Sequence, residues 1–205
     1  MNPTYLFYFT IFYSSLALAL LPFVGCQHAF QCPASPPGTV SVSHLVHRGA
    51  LAASYAYMGG LFLLCIFFFQ MHHSSSILST ACSFVGVKLL AIPLMVPLGS
   101  LPSDSLHDVC GVVGGFLLFL VSLFHLFDKY SQYSYAAHTK AARNLLGLTT
   151  LLMFATIMSI TIVAYTQENS AYSILALEFV YGFSLATNAV VSHMIESEEE
   201  NYHAQ

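Results

Sequence analysis

Apolar residues fill this chain in long unbroken runs, and the few positions at which charge interrupts them define its plan. No charged side chain precedes Arg48. None lies between Arg48 and Lys88, between Asp108 and Asp128, or between Arg143 and Glu168. A helix crosses the hydrocarbon core of a bilayer with about 20 predominantly apolar residues. In lipid the backbone must satisfy its own hydrogen bonds, so runs of this kind predict helices. The pattern predicts six transmembrane helices, at about Tyr5–Cys26, Ala50–Met71, Ile77–Leu98, Val109–Phe127, Leu145–Tyr165 and Ala171–Val191. The fold class is therefore all-α, a polytopic bundle. Residues 1–195 form one membrane domain and residues 196–205 a short acidic tail. Only the connections Gln27–Gly49 and Asp128–Asn144 have any length. The first run reads as a span rather than a signal peptide: Asn2, Pro3 and Thr4 supply no basic start, and the apolar stretch exceeds a typical h-region. No repeat is evident at solenoid periods.

Composition agrees. Of 205 residues, 57% are hydrophobic and only 7% charged, against roughly 25% charged in an ordinary soluble domain. That excludes a soluble enzyme and a disordered segment. A net charge of −4 without a basic cluster excludes nucleic acid as a partner. The connection between spans four and five carries Lys129, Lys140 and Arg143, whereas the first connection carries Arg48 alone. The positive-inside rule then places both termini in the cytoplasm and the first, third and fifth connections in the lumen or outside.

Two charges fall within spans, Lys88 in the third and Glu178 in the sixth. Charge inside a bilayer is costly and should face the bundle interior. Two readings stand: a polar site that binds a lipid headgroup or moves a proton, and a structural Lys–Glu pair that sets helix register. Pro93 and Pro97 should bend the third span or free carbonyls to line a cavity. Ahead of span four, Asp104 is placed to cap the helix. His107 and Asp108 are either part of that cap region or an acid–base pair at the interface. His44 and His47 are three apart, and His28 and His107 share a side of the membrane. With neither HExxH nor paired CxxC present, no metal or other cofactor is expected. His125 and His193 lie near cytoplasmic span ends, where they should snorkel. Cys26 and Cys32 border the first lumenal connection and are disulfide candidates in an oxidising compartment. Cys65, Cys82 and Cys110 read as small apolar residues. Gly111, Gly114 and Gly115 form a small face that permits close helix approach.

Several pieces, taken in order, resemble one membrane family. It includes the post-GPI-attachment lipid-remodelling factor, the damage-regulated autophagy modulators and the Cwh-type N-terminal domain. Cys32-Pro33-Ala34-Ser35 is similar to the family's first lumenal loop, and His47-Arg48 to its aromatic-Arg element. Asp104-Ser105-Leu106-His107-Asp108 resembles its acidic-x-x-His-acidic approach to span four, and Ser122-Leu123-Phe124-His125 the end of that helix. The stretch Ala171 to Phe179, with Asn188 and His193 beyond, resembles the closing span of the GPI-remodelling branch. The chain departs from that branch at Lys88, where an acidic residue is more frequent, and in the spacing from Glu178 to His193.

The resemblance implies a six-span protein of the Golgi or endoplasmic reticulum that acts on membrane lipid, GPI-anchor lipid in particular. In that branch a lyso-GPI intermediate is reacylated with a saturated chain. If the chain is itself an acyl-transfer enzyme, the resemblance implies His107 as base, Asp108 orienting it, and Arg48 beside the lipid phosphate. Glu178 and Lys88 would be polar contacts to the lipid within the membrane. The autophagy-modulator branch implies instead a non-enzymatic regulator or scaffold, with the lysosomal membrane as its place. A small transporter using Lys88 and Glu178 as a polar pathway is a third class, against which the absence of an inverted repeat counts.

Overall fold

The structure is a computed structural model that describes residues 8–13, 15–16, 59–60, 62–64, 66, 76–95, 104–131, 137–166 and 173–203. Every described element is a helix. Four are long: α1 (Ile77–Met95), α2 (Asp104–Ser131), α3 (Ala137–Thr166) and α4 (Ser173–His203). Each contains a stretch long and apolar enough to cross a membrane: Ile77–Leu94, Leu106–Asp128, Lys140–Val163 and Ile174–Ile195. The chain is thus an integral, multi-pass membrane protein. The first two spans expected from sequence lie mostly outside the described residues. Within them, residues 8–13, 15–16, 59–60, 62–64 and 66 are helical.

The helices overrun the ends read from hydropathy. α2 begins at Asp104 rather than Val109, and α4 continues through the acidic tail to His203. The connection expected at Asp128–Asn144 is helical at both ends, because α2 reaches Ser131 and α3 starts at Ala137. Charge ends a hydrophobic run, but lysine and glutamate are good helix formers. Pro93 lies inside α1, which continues to Met95; Pro97 lies outside the described residues.

Consecutive helices pack as antiparallel neighbours, α1 on α2, α2 on α3 and α3 on α4. Lipid tails are as apolar as leucine, so close packing and hydrogen bonds must hold such a bundle together. The tightest contact is between the backbones of α1 and α2. A Cβ on Gly114 would lie 2.8 Å from the Leu90 nitrogen and 2.9 Å from the Gly86 oxygen. A Cβ on Gly86 would lie 3.1 Å from the Gly114 oxygen. Only hydrogen fits at Gly114. The three glycines expected to form one packing face do not act alike. Gly115 sits in ordinary contact with the Tyr181 ring, and a Cβ on Gly111 would touch nothing within 4 Å.

Two polar links fix α4. The Tyr181 hydroxyl donates to the Gly115 carbonyl of α2 at 2.8 Å, in the buried core. Nearer the other end, the Asn188 amide donates to the hydroxyls of Thr149 (3.1 Å) and Thr150 (3.0 Å) on α3. Both hydroxyls in turn donate to the Leu146 carbonyl. Around these links Leu118, Met153, Leu185 and Ala189 form the apolar core, and Ile11, Leu63 and Ile66 belong to it. The helical residues of the first two expected spans therefore pack against the same bundle. A second layer of Leu146, Val191 and Ile195 closes the end towards the C-terminus of α4.

Two outcomes test this packing. Gly114→Val should destabilise the protein by about 1–3 kcal/mol through overpacking, while Gly111→Ala should leave stability unchanged or slightly raised. Unfolding midpoints in mixed micelles compare the two directly. Asn188→Leu should cost about 0.6–1.7 kcal/mol, the range for hydrogen bonds between membrane helices. Adding Thr149→Val and Thr150→Val to it should cost less than the sum of the separate losses, as a double-mutant cycle in the same assay would report.

Candidate functional site

Antiparallel packing brings the C-terminal end of α1 and the N-terminal ends of α2 and α4 to one end of the bundle. His107 lies in the first turn of α2 there and is only 6% exposed. Its Nδ1 is hydrogen-bonded to Asp108 Oδ1 at 3.2 Å, and the Asp108 side chain is 73% exposed. Nε2 is buried. The Pro93 carbonyl of α1 faces the ring as a hydrogen-bond acceptor, and the Glu178 carboxylate of α4 lies within electrostatic reach of it. Glu178 itself is half-buried.

One turn further along α2, Gly111 leaves open space beside its backbone. Residues four apart share a helix face, so this space adjoins the His107 position. Two turns along, Gly115 and the Tyr181 hydroxyl bonded to it close the core below. This open side of α2 at Gly111, next to the buried His107 ring at one end of the bundle, is the His107 recess.

The chemistry of the recess follows from the histidine. A carboxylate accepts from Nδ1–H, which places the neutral ring's lone pair on Nε2. A group so arranged accepts a proton from a hydroxyl and returns it later. Asp108 reaches Nδ1 from an exposed position on α2.

Other residues singled out from sequence fall differently. Lys88 does not face the interior. It is exposed on α1, and its Nζ lies 4.0 Å from the centroid of the Phe84 ring. It makes no pair with Glu178, and α1 and α4 are not principal neighbours. The expectation fails because depth along a helix says nothing about which way a residue faces. A cation–π contact is worth about 0.5–2 kcal/mol, less than the roughly 2.5–3.5 kcal/mol that lysine costs at mid-helix. Lys88 is therefore a charge the described bundle leaves largely uncompensated. His125 does not snorkel: it is 7% exposed, in the core of α2. His193 is half-buried, with its ring 5.5 Å from that of Tyr8. Arg48, Cys26 and Cys32 lie outside the described residues. Cys110 is buried and free, as expected of a small apolar residue, and Cys82 is half-buried and free.

Two residues of the site were not singled out from sequence. Gly86 is the one glycine of α1 and had a signal, since small residues mark close crossings. Tyr181 had a weaker one, because a tyrosine deep in an apolar run needs a hydroxyl partner. Pro93 was singled out for the carbonyls a proline frees, and it is its own carbonyl that faces His107. No family model, no curated protein and no solved structure matches the chain.

Proposed function

We propose that the protein binds a membrane lipid in the His107 recess and promotes acyl transfer to a lipid hydroxyl, as a remodelling factor of the secretory pathway. The observation that carries the reading is His107 itself, a buried imidazole held at Nδ1 by Asp108 and faced by the Pro93 carbonyl and the Glu178 carboxylate. In the proposed step Nε2 takes the proton of a glycerol hydroxyl as that oxygen attacks the carbonyl of a donor ester or thioester. The new ester bond forms, the donor's bond breaks, and the imidazolium returns the proton to the leaving group. The family resemblance supplies the finer statement. It points to GPI-anchor lipid as substrate, to the lumenal face of the Golgi or endoplasmic reticulum as the place, and to Arg48 as the phosphate contact. In this reading two further spans precede α1, and both termini are cytoplasmic.

A non-enzymatic regulator or scaffold is the second reading. The exposed Lys88, directed away from the recess, favours it, because such a charge serves assembly rather than the chemistry at His107.

Rescue separates the two. The full chain would be expressed in cells lacking the family's GPI-remodelling factor, and surface retention of a GPI-anchored reporter followed. The wild type should restore retention. His107→Ala should lower the remodelling rate by about 100-fold or more, the usual contribution of a general base. Asp108→Asn should act less severely, and Glu178→Gln should weaken lipid binding without abolishing turnover. Wild-type arrival in the Golgi without rescue, or full activity in His107→Ala, would overturn the catalytic reading and leave the regulator.

A further inference from the structure

We propose that the outer face of α1 around Lys88 binds a transmembrane helix of a different protein that carries an Asp or Glu at mid-membrane depth. The exposed residues of α1 recur at helical spacing: Ile77 and Leu78, Ala81, Phe84 and Val85, then Lys88. They form one stripe. α1 is also the least covered of the four helices, with 22% of its span buried against 44%, 33% and 39% for α2, α3 and α4. An apolar stripe alone is what lipid requires. A lysine within it is not.

The position of the amine makes this sharper. Lys88 lies eleven residues after Ile77, and its side chain runs towards the N-terminus of α1, which places Nζ over the Phe84 ring. That is close to the middle of the span Ile77–Leu94. The ring face compensates only part of the cost of a charge at that depth, and no carboxylate among the described residues is paired with Lys88. A lipid phosphate lies at the bilayer surface, about 15 Å from the midplane of a hydrocarbon core of ~30 Å, and so is out of reach.

The occupant follows from the charge. A symmetric, parallel pair of α1 stripes would set Lys88 against Lys88 in low dielectric, which is repulsive. Glu178 of a second copy is half-buried in its own recess, within reach of its own His107. A foreign helix with a carboxylate at matching depth gives the amine both a counter-ion and a hydrogen bond. Ala81, one turn below Phe84 on the stripe, lets that helix approach closely.

The test uses the full chain in its native membranes, with a photo-crosslinking residue at Ala81 and a control at Phe154, which is exposed on α3. Light should yield an adduct with another membrane protein from position 81 and none of that mass from position 154. Lys88→Arg should retain the adduct, and Lys88→Leu should reduce it by about tenfold or more, as loss of a buried charge pair does. The captured chain must carry Asp or Glu in its span. Lys88→Asp combined with Lys at that acidic position must restore the adduct. An adduct unaffected by Lys88→Leu, one with a second copy of this chain, one with lipid only, or a captured span without an acid would overturn the proposal. So would a lowered unfolding midpoint in Lys88→Leu, since that would make Lys88 part of this bundle's own packing.

Discussion

The contact of backbone on backbone at Gly86 and Gly114 is the constraint from which the rest of the bundle is set. Helices in lipid gain little from burying apolar surface against each other, so α1 and α2 hold together only where their main chains come close. The consequences reach the site. Pro93 follows Gly86 by seven residues, and His107 precedes Gly114 by seven. In an antiparallel pair both displacements run towards the same end, about two turns from the crossing. The glycine contact therefore determines that the Pro93 carbonyl and the His107 ring face one another. A side chain at Gly114 would spread the helices at the crossing and open the site two turns away.

The second reference point is the bond from Tyr181 to the Gly115 carbonyl. It uses the residue next to the crossing glycine, so α4 is referenced to the same level of α2 as α1 is. Glu178 lies three residues before Tyr181, nearly one turn towards the His107 end of the bundle, and its carboxylate comes within electrostatic reach of the ring. Below, Asn188 and the two threonines join α4 to α3 and keep that reference from rotating. Three short polar or close-packed contacts thus position four groups from three helices around one recess.

How much of this is legible in sequence depends on the kind of quantity asked for. Four of the predicted spans coincide with long helices, because charge-free runs directly report the requirement of lipid. Helix ends did not coincide, since Asp104 and the glutamates after Ile195 are polar without being helix breakers. Orientation about the helix axis was the hidden variable. Lys88 was expected inside and is outside, and His125 was expected at the interface and is buried. Periodicity reports the inner face of an amphipathic helix in water, but a helix that is apolar all round offers no such stripe. The glycines show the same limit: Gly111, Gly114 and Gly115 are identical letters with an open space, a close crossing and a ring contact as their respective roles. The His107–Asp108 pair was legible because the two are adjacent in the chain. That only the histidine is buried comes from α1 and α4, and no local pattern encodes it.

The separation of the two membrane charges also shapes what the recess is suited to hold. With Lys88 outside, the described residues around His107 offer two carboxylates, Asp108 and Glu178, and no cation besides the histidine itself. Such a field disfavours a phosphate group and favours a neutral hydroxyl that can donate to Nε2. A Lys–Glu relay through the membrane has no geometry here, because the two groups face different surroundings. If a phospholipid is the ligand, its phosphate must sit away from His107 and its hydroxyl towards it. That division of labour is the one expected when Arg48, ahead of the second expected span, takes the headgroup. The recess then needs to recognise only the hydroxyl and the chain beneath it, for which the space at Gly111 lies one turn deeper along α2.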